Sequence, residues 1–146
     1  MRARRSVVLA AAVLWLAVPG SAAAPDLLTL GKLQDGLWDL RFRDGSPSRR
    51  LCLHDAWRLI QLQHPDLACD RLILEDKPAT ASVQYTCKGK GFGRTTIRRE
   101  SAQLIQLETQ GLAGGLPFEL WGEGRRIGDC PAPPRASPVA SSPRGD

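Results

Sequence analysis

Four cysteines constrain this chain more than any other feature of its sequence. They are Cys52, Cys69, Cys87 and Cys130. An even number of cysteines in a small exported domain is typical of a disulfide framework, because a domain of about 100 residues buries only a modest core. A zinc site would also need His54 or His64, and the spacing of these residues matches no zinc motif. The sequence predicts two disulfides, no metal site and no cofactor.

The first 23 residues indicate export. Three arginines are followed by an apolar run over 7–18, then by Pro19-Gly20 and small residues, which is the pattern of a secretory signal peptide. The apolar run is shorter than the roughly 20 residues of a membrane span. We predict cleavage of 1–23 before Ala24, no transmembrane segment in the mature chain, and a periplasmic or secreted protein.

The mature chain is nearly balanced in charge. The whole chain has 20 Lys+Arg against 15 Asp+Glu, and loss of three arginines with the signal peptide leaves a net charge of +2. This argues against nucleic-acid binding, which favours a concentrated basic surface. Residues 131–146 are rich in Pro, Ser and Ala, and we expect them to be disordered because they bury too little apolar surface to offset their ordering entropy. One domain, 24–130, remains.

Alternation of apolar and polar residues predicts a mainly β domain. In 36–43, for example, Trp38, Leu40 and Phe42 fall on one face of a strand. The predicted strands are 36–43, 49–53, 69–76, 81–87, 94–100, 102–109 and 117–128. Short turns join most of them, which favours an antiparallel meander or a partial, half-open barrel.

One segment has helical spacing instead. Leu53, Ala56, Trp57 and Ile60 stand at i, i+3, i+4 and i+7, and Pro65 cannot lie inside a helix. We therefore predict one short helix over 53–63 that packs on the sheet through Trp57.

The glycine-rich stretch 87–96, CKGKGFGRTT, has the composition of a phosphate-binding loop. Such a loop must open a helix, with lysine followed at once by Ser or Thr. Here the order is Gly93-Arg94-Thr95, and the β-branched residues that follow favour a strand. The glycines are better explained as positive-φ positions of a hairpin turn.

Strand positions also suggest the disulfide pairing. Strands 69–76 and 81–87 are joined by a short turn around Pro78, which sets Cys69 near Cys87 at a distance suited to a disulfide. Cys52 is left to pair with Cys130, which we expect to place the last strand beside the second.

No residues form a recognisable catalytic arrangement, so we predict a protein that is not an enzyme. Two groups are candidates for ligand binding. The basic hairpin comprises Lys88, Lys90, Arg94, Arg98 and Arg99, and an aromatic interior comprises Trp38, Phe42, Tyr85, Phe118 and Trp121. The first group suits an anionic head group or glycan, and the second an apolar ligand. The alternatives are a solvated strand face and an ordinary packed core.

Short motifs give the chain a resemblance to a known family. Gly36-Leu37-Trp38-Asp39, Cys52-Leu53, the middle Cys69 and Tyr85-x-Cys87 resemble motifs of the small exported bacterial proteins grouped as domain of unknown function 3617. The resemblance spans about 31–130 and implies a β-rich periplasmic or secreted protein without a known activity.

Three functional hypotheses therefore stay open. The first is a non-catalytic protein that binds an envelope component such as a lipid or an anionic glycan. The second is a structural or interaction module for another envelope protein. The third is an enzyme of a type that the sequence does not identify.

Overall fold

Seven antiparallel strands form one open sheet in the computed structural model, which describes residues 26–132. The strands are β1 (Gly36–Phe42), β2 (Arg49–Leu53), β3 (Asp70–Asp76), β4 (Thr80–Cys87), β5 (Gly91–Ser101), β6 (Leu104–Ala113) and β7 (Leu116–Gly128). Their order in the sheet is β2-β1-β7-β6-β5-β4-β3. The predicted mainly β, antiparallel meander is confirmed, and the sheet is not closed. The predicted signal peptide, its cleavage site and most of the predicted tail lie outside the described residues.

One face of the sheet, called the inner face below, carries the core. Trp38 and Leu40 of β1 and Val83 and Tyr85 of β4 are all buried on it, as the alternation predicted. Two short segments cover this face, namely 26–33, with a 3₁₀ turn at Leu30–Lys32, and 54–68. Within residues 26–132, no helix is long and apolar enough to cross a bilayer.

The helix predicted over 53–63 is reduced to a 3₁₀ turn at Ala56–Leu59. Leu53 belongs to β2 and pairs with Gly36, so the first position of the helical stripe is taken by the sheet. The Asp55 side chain then accepts a hydrogen bond of 2.9 Å from the Trp57 amide and starts the turn. The apolar spacing correctly predicted that Trp57 and Ile60 are buried. The segment buries them as a short turn packed on the core, and not as a regular helix.

The glycine-rich stretch is a hairpin, as predicted. Residues 88–90 form the turn between β4 and β5, and the Lys90 amide donates to the Cys87 carbonyl at 2.9 Å. Gly89 and Gly91 have φ angles of 72° and 132°, which L side chains rarely adopt. A strand, rather than a helix, begins at Gly91, so the turn lacks the helix N-terminus that a phosphate loop requires.

Both predicted disulfides are confirmed. The Cα atoms are 4.3 Å apart in Cys69–Cys87 and 5.4 Å apart in Cys52–Cys130. The expectation that the last strand lies directly beside the second is wrong, because β1 lies between β2 and β7. Leu37 of β1 pairs with Cys52 on one side and Gly128 on the other, so the Cys52–Cys130 bridge passes around the end of β1.

Candidate functional site

The predicted aromatic interior is a packed core rather than an open cup. Trp38 and Tyr85 have no exposed surface, and they belong to one buried cluster with Leu59 and Ile60, which are also fully buried. Phe42 is half-buried at the margin of this core. Of the other two aromatic residues, Phe118 is half-buried and Trp121 is exposed on the opposite, outer face.

The predicted basic hairpin residues do not form one patch. Lys88 and Lys90 lie in the turn, and Arg94 and Arg98 point from β5 to the outer face with other exposed side chains. Arg99, on the opposite side of the strand, donates to the Pro78 carbonyl at 3.1 Å. Its Nε atom is buried and has no hydrogen-bond partner among the described residues.

A cleft that the sequence did not predict lies between the two edges of the sheet. Segment 54–68 spans this gap, and the cleft has a volume of about 370 Å³, within the range of small-molecule sites. Its lining residues are Arg49, Arg50, Leu51, Asp55, Trp57, Arg58, Gln61, Leu62, Pro65, Asp66, Leu67 and Arg71. We call it the arginine cleft.

Arg71 of β3 is fixed on one side of the arginine cleft. Its guanidinium carbon lies 4.6 Å from the centre of the Trp57 ring, and its Nε donates to Gln61 Oε1 at 2.8 Å. Gln61 is itself buried and donates to the Leu67 carbonyl at 3.1 Å. The planar guanidinium is thus oriented by stacking and by one hydrogen bond, which leaves its other N–H groups available.

Arg49 of β2 stands on the other side. It packs over Phe42 at 5.5 Å from the ring centre and donates to the Leu62 carbonyl at 3.3 Å. Arg58, in the 3₁₀ turn, donates to the Cys52 carbonyl at 3.1 Å. All these acceptors are neutral, so the hydrogen bonds orient the arginines without cancelling their charge.

The arginine cleft therefore carries excess positive charge. Four of its lining residues are arginines and two, Asp55 and Asp66, are acidic. Among the described residues only Arg50 of the four forms a salt bridge, with Asp39 Oδ1 at 3.9 Å. The carboxylate of Asp55 is occupied as the cap of the 3₁₀ turn.

Aliphatic side chains form the rest of the lining of the arginine cleft. Leu51, Leu62 and Leu67 line the cleft together with Pro65, and Leu67 keeps 38% of its surface exposed. The combination of oriented guanidinium groups with an aliphatic wall suits a ligand that has both an anionic and an apolar part.

His64 and Tyr85 form a buried contact that connects segment 54–68 to the glycine hairpin. His64 Nδ1 and the Tyr85 hydroxyl are 3.2 Å apart, and His64 Nε2 lies 3.3 Å from the Lys90 carbonyl. Burial raises the pKa of Tyr85 to about 12. The pair belongs to the core and holds segment 62–68 against the hairpin.

His54 has a neighbour that the sequence analysis did not foresee. Its Nε2 atom is 3.1 Å from Cys52 Sγ, and with Cys130 these residues bring three metal-ligand atoms within 4.8 Å of one another. The two sulfur atoms are joined in a disulfide. In that state neither is a thiolate, which is the form that binds metals.

Sequence reasoning missed the arginine cleft because its arginines form no motif. Arg49, Arg58 and Arg71 are separated by 9 and 13 positions and stand in a strand, a turn and another strand. Only the approach of the two sheet edges to segment 54–68 brings them together.

Comparison with protein-family models, with curated proteins and with solved structures finds no match to this chain. The resemblance to domain of unknown function 3617 therefore stays a prediction.

Proposed function

We propose that this chain is an exported, non-catalytic binding protein whose arginine cleft holds the anionic head group and the adjoining apolar part of an envelope lipid. The observation that carries the proposal is the environment of Arg49, Arg58 and Arg71. All three are oriented by neutral acceptors around one cleft, and none forms a salt bridge within residues 26–132.

An anionic ligand would supply the missing counter-charge. Arginine binds phosphate and carboxylate through paired N–H groups, and such charge-assisted hydrogen bonds are about twice as strong as neutral ones. Because stacking on Trp57 and Phe42 already restricts Arg71 and Arg49, less side-chain entropy is lost when the ligand binds.

The apolar wall favours a lipid over an anionic glycan. Sugars usually stack on exposed aromatic rings, but the ring of Trp57 is buried and covered by Arg71. The remaining apolar surface comes from Leu51, Leu62, Leu67 and Pro65, and this aliphatic surface suits an alkyl chain.

The two disulfides fit an oxidising compartment, and we propose the periplasm or the exterior of the cell. The resemblance to domain of unknown function 3617 supports the same placement. Intact mass of protein purified from the envelope should correspond to a chain beginning at or within a residue or two of Ala24. Recovery of chains that retain 1–23 would contradict export.

Calorimetric titration with dodecyl phosphate, below its micelle concentration, tests the cleft. Dodecyl maltoside has the same alkyl chain with an uncharged head and serves as the ligand control. We expect dodecyl phosphate to bind, and Arg49→Gln and Arg71→Gln each to weaken binding about tenfold or more, since a hydrogen bond to a charged group contributes about 1.5–3 kcal/mol.

Arg94→Gln, on the outer face, is the matched control and should leave the affinity unchanged. Chemical unfolding of each variant establishes that the fold is kept. Equal affinity for the two detergents, or equal affinity of the wild type and both cleft variants, would rule out this site.

An interaction module is the second candidate. β3 is an edge strand, and Leu72, Ile73 and Leu74 are 59, 37 and 43% exposed. An extended segment of another envelope protein would add to this edge by strand pairing. Native mass spectrometry of protein isolated from its own envelope separates the two candidates, since a bound lipid supports the first and a bound polypeptide the second.

A further inference from the structure

Two hairpin turns lie side by side at one end of the sheet. Residues 88–90 join β4 to β5, and residues 114–115 join β6 to β7. The Gly114 amide donates to the Lys90 carbonyl at 3.2 Å and holds the two turns together. We call these turns and the strand ends beside them the tip.

The tip exposes apolar side chains. Leu116 is 72% exposed and Phe92 is 48% exposed. Phe92 pairs with Leu112, which pairs with Pro117, so these three form one row across β5, β6 and β7 on the outer face. Leu116 lies in the next row, with Gly91 and Ala113, on the inner face, so the two faces both present apolar groups at this end of the sheet. Exposed apolar groups that gather in this way, rather than singly, mark an interaction surface.

The charge in the two turns has one sign. Lys88 and Lys90 are both exposed in the first turn, and neither forms a salt bridge within residues 26–132. The sequence over 87–99 and over 109–118 contains no Asp or Glu. In the row of Phe92 the nearest carboxylate is Asp70, on β3, two strands away. Glu119 lies farther from the turns on the outer face, in the groove that Phe92 and Pro117 also line, and its carboxylate accepts from Trp121 Nε1 at 3.1 Å.

We infer that the tip docks on the surface of an anionic lipid leaflet. Leu116 and Phe92 would enter the boundary between head groups and acyl chains, while Lys88 and Lys90 meet the lipid phosphates. Amphipathic surfaces with lysines beside large apolar residues bind membranes in this manner.

This inference does not rest on the ligand proposed for the arginine cleft, but it gives that cleft an orientation. His64 contacts the Lys90 carbonyl, and Cys69–Cys87 joins the start of β3 to the same hairpin. Docking of the tip therefore brings the 62–71 side of the cleft toward the leaflet.

Co-sedimentation with vesicles tests the inference. The probes are vesicles of phosphatidylcholine alone and of phosphatidylcholine mixed with phosphatidylglycerol. We expect binding to the anionic vesicles that weakens as salt is raised. The double variant Lys88→Ala/Lys90→Ala should have a partition constant about thirtyfold lower, because each lysine near an anionic leaflet usually strengthens binding by a factor of about five.

Leu116→Ser should also weaken vesicle binding, by about tenfold, through loss of buried apolar area. The matched control is Leu72→Ser, because Leu72 is 59% exposed at the β3 edge, away from both turns. A further variant, Leu116→Trp, should show a blue shift of its fluorescence on addition of anionic vesicles, and Leu72→Trp should show none.

Binding that is equal for neutral and anionic vesicles, or that is unchanged in both the lysine and the Leu116→Ser variants, would overturn the inference. The tip variants should still bind soluble dodecyl phosphate like the wild type if the arginine cleft is a ligand site. Failure of docking and failure of the cleft are therefore separate results.

Discussion

The guanidinium group of Arg71 stacks on the indole ring of Trp57, 4.6 Å from its centre, and so joins the β3 edge of the sheet to the segment that covers the core. This contact predicts that Arg71→Lys, which keeps the charge, still weakens dodecyl phosphate binding about tenfold. Lysine lacks the planar fork that pairs with phosphate and the hydrogen bond from Nε to Gln61. Calorimetry measures the affinity, and an unchanged value would show that charge alone is sufficient.

Tyr85 should make the domain sensitive to high pH. Its pKa is raised from 10.0 to about 12 by burial of the phenol. Because the folded pKa is above the unfolded one, the free energy of unfolding should stay level with respect to this group below pH 10 and fall between pH 10 and 12. In the Tyr85→Phe variant the free energy of unfolding should fall less between pH 10 and 12, because the titrating phenol is gone.

The same group can be observed directly, since Tyr85 is the only tyrosine in the chain. Tyrosinate absorbance should titrate near pH 12 in the native protein and near pH 10 in denaturant. A native midpoint near 10 would contradict the burial of the phenol.

The two disulfides should contribute unequally to stability. They close separations of 18 residues for Cys69–Cys87 and 78 residues for Cys52–Cys130, for which loop entropy gives about 3 and about 4.5 kcal/mol. Replacing Cys52 and Cys130 together by alanine should therefore lower the free energy of unfolding more than the same change at Cys69 and Cys87. Urea unfolding of the two double variants checks the order, and the reverse order would show that strain or packing outweighs loop entropy.

Position 93 must be glycine because the ring of Tyr85, on the paired strand, leaves no space for a side chain there. The two residues pair across β4 and β5, and a Cβ at position 93 would lie 2.5 Å from Tyr85 Cζ. Gly93→Ala should therefore destabilise the domain by about 1–3 kcal/mol through overpacking. Gly31→Ala, where a Cβ meets nothing within 4 Å, is the control, and thermal unfolding of both variants makes the comparison.

The sequence predicted the strands well where one face is buried and the other solvated. In β1 and β4 the alternation around Trp38 and Tyr85 matches the observed faces. It was less informative for β3, because the run Leu72-Ile73-Leu74 lies at an edge where all three side chains are exposed. A register shift between Ile73 and Glu75 also interrupts its alternation.

The candidate sites were harder to predict, since they depend on which strands meet. Lys88 and Lys90 belong to a turn that the sequence identified, and Phe92 follows them in the same hairpin, but Leu116 and Pro117 come from the β6–β7 hairpin. The arginine cleft depends on a gap between β2 and β3, which are the two edges of the sheet. The local sequence pattern contains no information about how far apart the two edge strands lie in the folded sheet.

The strand order also has a consequence for how the chain assembles. From β3 to β7 every strand pairs with its neighbour in sequence, whereas β1 pairs with β7, the last strand to be made. Contacts between distant segments are slow to form because a long loop must close first. The hairpin of β1 and β2 therefore emerges early, and the edge of β1 that faces away from β2 has no strand to pair with until β7 is made. During this interval the chain is most exposed to aggregation, and a partner that shields the first hairpin would protect it.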